Sequence, residues 1–154
     1  MIVRLLRSDW ATLADVARAA VESDPAAFSS STDELNQWTD DEWRAYADRY
    51  CSDTAAAFLE KRGEAVVGMV GVEVMGDAAL ITNLWVRQSF RRHGVARALM
   101  GEAEAWAACC GATRLMLTVT PGLHAAVAFY RALGYEGSPD DGFEKRVHQQ
   151  PRSL

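Results

Sequence analysis

Three apolar runs, at residues 54–61, 65–75 and 78–86, follow one another with only Arg62-Gly63-Glu64 and Gly76-Asp77 between them. Gaps that short, each holding a glycine, leave room for little but a tight reversal. The runs therefore predict three antiparallel strands joined as a meander. A sheet with apolar faces needs helices laid against it, so the flanking sequence must provide them.

The flanks do so. Residues 2–7 read as a short opening strand. Ser8 or Asp9 can cap a helix over residues 10–22, where Leu13, Val16, Ala17, Ala20 and Val21 recur at helical spacing. Asp24-Pro25 ends it, because a residue before proline avoids the helical region. The polar stretch 26–53 carries two capping-box patterns, Ser31-Thr32-Asp33-Glu34 and Thr39-Asp40-Asp41-Glu42, and so predicts two short helices. Beyond the meander, residues 94–110 predict a helix with Val95, Leu99, Ala103 and Trp106 on one face and Gly111 at its end. Residues 114–119 predict a strand, residues 123–133 a helix closed by Gly134, and residues 135–136 and 143–147 a last strand pair across Pro139-Asp140-Asp141-Gly142. The tail from Gln149 is polar and expected to fray. The order predicts an α/β, or layered α+β, fold. It has a mixed, mostly antiparallel sheet of about seven strands, with helices on both faces.

The 154 residues fit a single domain, 1–154. A net charge of −5 argues against nucleic-acid binding, which needs clustered Lys and Arg. Cys51, Cys109 and Cys110 form no disulfide framework, and no His or Cys spacing suggests a metal. No apolar run approaches the roughly 20 residues of a membrane span, and residues 1–7 lack a signal-peptide core. The expected location is the reducing cytoplasm.

The stretch from Leu84 to Ala96 carries the chemistry. A strand ends near Val86 and a helix begins near Gly94. The first N–H groups of a helix lack internal partners and carry partial positive charge, so they hold phosphate. Gly94 permits close backbone approach, Ala96 keeps the next position small, and Arg91, Arg92 and Arg97 add positive charge. Neither a GxxxxGK loop nor a GxGxxG fingerprint is present. Taken alone, the turn also fits an ordinary helix start with solvated arginines.

A second block follows the strand at residues 114–119: Ala126-x-x-Phe129-Tyr130-x-x-Leu133-Gly134-Tyr135. Together the two blocks resemble the GNAT superfamily of acyl-CoA N-acyltransferases. Arg91-x-x-Gly94-x-Ala96 is similar to its pyrophosphate turn, Q/R-x-x-G-x-G/A, and the later block to its C-terminal motif. The likeness is strong over residues 54–147 and loose before them.

The resemblance implies acetyl-CoA as co-substrate, transfer to a primary amine, and no metal. It places the pantetheine arm between the strands 78–86 and 114–119, on the backbone of Leu84, Trp85 and Val86. An N–H near Val86 would polarise the thioester carbonyl. The pyrophosphate would rest on the amides of Arg92, His93, Gly94, Val95, Ala96 and Arg97, beside Arg91. Tyr130 matches the tyrosine that protonates the departing thiolate, although its spacing equally suits a core tyrosine. The sequence departs from the family twice. Leu123 stands where an Asn often contacts the cofactor, with His124 next to it. Leu80 stands where a Glu often serves as base. Asn83 could position a water instead, and Glu73 is a candidate base; both positions also suit structural roles.

In this family the segment after the first helix lines the acceptor cleft. Here it holds Glu22, Asp24, Asp33, Glu34, Asp40, Asp41, Glu42 and Asp48 against Arg44 alone. That excess predicts a small cationic amine as partner, with Phe28 and Glu34 among the residues that bind it. The same carboxylates suit helix first turns, and Phe28, Trp38 and Trp43 suit either cleft wall or core. Acetylation of protein N-termini or lysines, or CoA binding without catalysis, are the alternatives. A homodimer is an assembly that members of the family often adopt.

Overall fold

A computed structural model describes residues 1–28 and 30–147. Strand β1 (Ile2–Arg4) is followed by helices α1 (Trp10–Ser23), α2 (Thr32–Asn36) and α3 (Asp40–Arg49). The meander is β2 (Ala55–Arg62), β3 (Ala65–Met75) and β4 (Ala78–Val86). Then come α4 (Val95–Cys109), β5 (Arg114–Leu117), α5 (His124–Ala132), β6 (Glu136–Ser138) and β7 (Gly142–Arg146). The seven strands lie in the order β1-β2-β3-β4-β5-β7-β6. All neighbours are antiparallel except β4 and β5. The mixed, layered α/β sheet expected from the sequence is the one observed.

Strand alternation divides the core between the two faces. Ala56, Phe58, Val70, Val72, Ala79 and Ile81 pack under α4 residues Leu99, Met100 and Ala103, with Ala126, Phe129 and Tyr130 of α5 beside them. Ala55, Ala57, Leu59, Met69 and Trp85 point the other way, against Leu13, Val16 and Ala20 of α1 and Ala47 of α3.

Several boundaries differ from the sequence reading, each for a local reason. The opening strand stops at Arg4: Leu5 is buried and still donates its N–H to the Ala57 carbonyl at 2.8 Å, but the chain then turns into α1. Asp9 does not cap α1 with its side chain; its Oδ2 accepts from the Leu6 N–H at 2.9 Å, bracing the turn before it. Thr39 and Glu42 form a full capping box, whereas at α2 only Ser31 caps, accepting from the Glu34 N–H at 3.1 Å. Strand β5 ends at Leu117 rather than residue 119, and the last strand pair is shifted to Glu136–Ser138 and Gly142–Arg146. The tail from Gln149 lies outside the described residues. Among the described residues no helix is long and apolar enough to cross a membrane, and no three His, Cys, Asp or Glu side chains form a metal-holding group.

Candidate active site

The site begins as a defect in the sheet. Strands β4 and β5 pair only through Ala78, Ala79 and Leu80 with Arg114, Leu115 and Met116. Past Leu80 they separate. On its other edge β4 carries a bulge: Met69 faces Trp85 and Gly71 faces Thr82, so Val70 alone opposes Asn83 and Leu84. Asn83 takes a left-handed φ of 55° there, which asparagine tolerates better than most residues. A bulge bends and twists its strand, and here it turns the end of β4 away from β5. The second half of β4 thus presents a bare backbone edge to a gap.

The direction of that edge follows from the ladder. The Arg87 N–H donates to the Val67 carbonyl on β3 at 2.7 Å. Successive residues of a strand point their amides to opposite edges, so the Val86 N–H is directed into the gap. The Val86 carbonyl lies on the same side and accepts from Arg91 Nε at 2.8 Å.

Beyond Val86 the chain makes a turn in which Arg92 (φ 66°) and Gly94 (φ 81°) are both left-handed. Alternating handedness of this kind gathers consecutive N–H groups into an anion-binding concavity. Helix α4 starts immediately after, and its first backbone bond runs from the Ala98 N–H to the Gly94 carbonyl at 3.0 Å. The amides ahead of Ala98 have no intrahelical acceptor. A Cβ on Gly94 would meet no atom within 4 Å, so this face of the turn opens outward. Arg92, His93 and Arg97 are exposed around it, Ala96 is half-buried, and Val95 anchors the turn in the core.

Arg91 does a different job from its neighbours. Besides the Val86 carbonyl, its guanidinium engages Asp24. Asp24 Oδ2 also accepts from Trp85 Nε1 at 3.0 Å and Ser23 Oγ at 2.7 Å. Burial alone would raise the Asp24 pKa; the hydrogen bonds from Arg91, Ser23 and Trp85 outweigh it and hold the carboxyl below its ordinary value. This clasp ties the end of α1 to the end of β4 and to the turn. The sequence reading did not find it, since its members are 61 and 67 positions apart.

A cavity of about 480 Å³ runs from the α1–α3 face of the sheet into the gap. On the gap side it is lined by Leu84, Thr118, Thr120, Leu123, Ala126 and Tyr130. The Tyr130 hydroxyl makes no hydrogen bond to the described residues, and burial pushes its pKa up to about 12. On the other side the wall includes Phe28, Trp38, Trp43, Tyr46 and Tyr50, with Thr82 and Asn83 on the floor. Asn83 Nδ2 donates to Tyr46 Oη at 2.9 Å, and the Tyr50 and Thr82 hydroxyls lie 3.3 Å apart. Tyr46, Tyr50 and Thr82 were not picked out from the sequence, although Trp43, Tyr46 and Tyr50 recur at helical spacing along α3 and its C-cap.

The acidic segment lies elsewhere. None of its eight carboxylates lines the cavity, and the described residues of the wall include no Asp, Glu, Lys, Arg or His. Glu34 sits exposed in the first turn of α2, as Asp40, Asp41 and Glu42 do in α3, near the positive end of each helix. Glu73 faces the same side of the sheet as Leu80, directly across the ladder, but outside the cavity wall, and it pairs with Arg49 at 2.6 Å.

Comparison with known proteins agrees with this arrangement. No curated protein matches the sequence. Among solved structures, a GNAT-family acetyltransferase from Streptococcus pneumoniae superposes with a TM-score of 0.80 at 21% identity, over 96% of this chain and 99% of that one. A PaiA N-acetyltransferase from Thermoplasma acidophilum in complex with coenzyme A gives 0.76 at 18%, over 96% and 99%. A ribosomal-protein-alanine N-acetyltransferase from Brucella melitensis gives 0.77 at 17%, also over 96% and 99%. At such identities the likeness shows the fold, but the sequence profile of the Acetyltransferase (GNAT) family matches residues 15–135 directly. The splayed strands and the open glycine turn are therefore those of a family member: this chain belongs to the GNAT family of acetyltransferases.

Proposed function

We propose that the protein transfers the acetyl group of acetyl-CoA to the primary amine of a small molecule. The observation that carries this reading is the bare edge of β4, which meets the cavity at Leu84, where Tyr130 also lines it, and runs on past Val86 to the open turn ahead of α4. Coenzyme A would lay its pyrophosphate on the amides of residues 92–97, where the open space at Gly94 suits a phosphate, and its pantetheine along Leu84, Trp85 and Val86. The Val86 N–H would hold the thioester oxygen as it gains charge. Arg91 supports the turn through its clasp and would contribute charge at a distance. Leu123 would offer the cofactor only apolar contact.

The amine nitrogen attacks the thioester carbonyl, a C–N bond forms, the C–S bond breaks, and one proton passes overall from nitrogen to sulfur. Tyr130 would donate a hydrogen bond to the departing sulfur. Glu73 is engaged by Arg49 and so is not poised to take the amine proton directly, and Asn83 is an amide and no base. Glu73 could receive it through water at the rim, and Asn83 could fix a water with its carbonyl oxygen. The net charge of −5 and the exposed acidic first turns of α2 and α3 would favour the approach of a cationic amine. Free thiols at Cys51, Cys109 and Cys110 fit a cytoplasmic enzyme.

Acetyl-CoA should raise the melting temperature, because a ligand bound only by the native state stabilises it. Thiol release should then depend on an added amine. Absence of both effects would remove the reading.

A further inference from the structure

We propose that the acceptor is a monoamine with a flat apolar body, of arylalkylamine size, seated against the aromatic wall of the cavity. The proposal rests on the acetyltransferase reading above and specifies its acceptor.

Half-exposed Phe28, Trp38 and Tyr46 line the cavity with buried Trp43 and Tyr50. Four of these rings form a connected tilted and edge-on array. Trp38 lies 4.6 Å from Trp43 and 5.6 Å from Tyr46, and Tyr46 lies 5.2 Å from Tyr50, between centroids. Rings locked to one another in this way form a rigid surface that favours another ring or an apolar chain. The polar groups on this part of the wall are neutral and few: Asn83 pairs with Tyr46 and Thr82 with Tyr50, while the buried Trp43 Nε1 has no partner among the described residues. An acceptor with many hydroxyl or ammonium groups would find too few partners against these rings, which is costly in a buried site.

Charge points the same way. Among the described residues no carboxylate lines the cavity, so the wall offers no charge to neutralise a second or third ammonium. Two guanidiniums stand close to the wall as well, Arg18 at 5.4 Å from the Trp43 ring and Arg49 at 5.7 Å from the Tyr50 ring. They engage the π systems that could otherwise hold a cation, and their charges are already balanced by Asp15 and Glu73. A single amine escapes this penalty, because it must shed its proton before it attacks.

The test is thiol release from acetyl-CoA with 2-phenylethylamine, spermidine, kanamycin and an alanine-terminated peptide. Binding of 2-phenylethylamine is followed separately by tryptophan emission in the presence of CoA. The expected result is a kcat/KM for 2-phenylethylamine at least about tenfold above the others. It should fall roughly tenfold or more in Trp38→Ala or Phe28→Ala, with KM for acetyl-CoA unchanged. Turnover preferring spermidine, kanamycin or the peptide would overturn the acceptor class and leave acetyl transfer standing. Saturable binding of 2-phenylethylamine, weakened by Trp38→Ala but without turnover of any amine, would support the aromatic seat while removing the transfer reading. If the amine neither binds nor reacts, or if both variants behave as wild type, the proposal fails.

Discussion

Tyr130 shows how a structural environment resets a residue's role. Its hydroxyl is held on the gap side of the cavity, and burial lifts its pKa to about 12. A thiol ordinarily titrates near ~8.5. Full proton transfer from Tyr130 to a free thiolate would therefore be uphill, and in the proposed reaction its service would be a hydrogen bond to sulfur as the C–S bond stretches. General acids contribute ~10²–10⁴-fold, and a good leaving group needs the least help. Tyr130→Phe keeps the ring and its edge contact with Tyr135, 5.9 Å away between centroids. It should lower kcat by roughly 10–100-fold while leaving the melting temperature and acetyl-CoA affinity nearly unchanged. A folded variant with wild-type kcat would remove Tyr130 from the chemistry.

At the scale of elements, the decisive join is between β4 and α4. The bulge at Asn83 turns the strand end, the Asp24–Trp85–Arg91 clasp fixes it, and left-handed Arg92 and Gly94 aim amides outward before the helix begins. Replacing Gly94 has two separable effects. Any side chain at φ 81° strains the turn, at a cost of about 1 kcal/mol. Only a bulky anionic one would also fill the open space and repel a pyrophosphate. Gly94→Ala should thus lower the melting temperature slightly and retain part of the CoA-induced rise. Gly94→Asp should abolish that rise. Equal CoA-induced shifts in Gly94→Asp and wild type, measured by thermal melting, would show that the phosphates bind elsewhere.

For the molecule as a whole, the acidic surface and the neutral cavity divide the electrostatic work. Surface carboxylates would act on an amine at long range, whereas the described residues of the cavity wall include no ionised side chain. Among the cavity groups Tyr130 keeps its proton up to about pH 12, and burial raises the Tyr46 phenol further still. Both shifts are upward, so both groups stay neutral throughout the working range. The pH dependence then belongs to the acceptor: the neutral fraction of an amine with pKa near ~10 grows about tenfold per pH unit below that value. The acceptor kcat/KM should climb with unit slope from about pH 6 to 9. A plateau beginning near pH 7 would reveal an enzyme base that the cavity wall does not contain, with Glu73 the first residue to replace.

What the sequence determined by itself was local in origin. The meander followed from glycine-bearing gaps of two or three residues between apolar runs, and the turn proposed to hold phosphate from a strand ending a few residues before a glycine-led helix. The Ala126–Tyr135 block then tied both to one family. Such signals survive without tertiary information because they record backbone geometry over short spans. The extent of the gap, the clasp and the cavity wall depend instead on residues far apart in the chain. Asn83 meets Tyr46 across 37 positions, and Arg91 meets Asp24 across 67. The acidic segment is the clearest case. Its composition suggested a charged cleft, but helix packing turned Trp43, Tyr46 and Tyr50 inward and left Asp40, Asp41 and Glu42 at an exposed first turn. Composition counts charges; only the packed orientation of α3 decides which face of the helix meets the cavity.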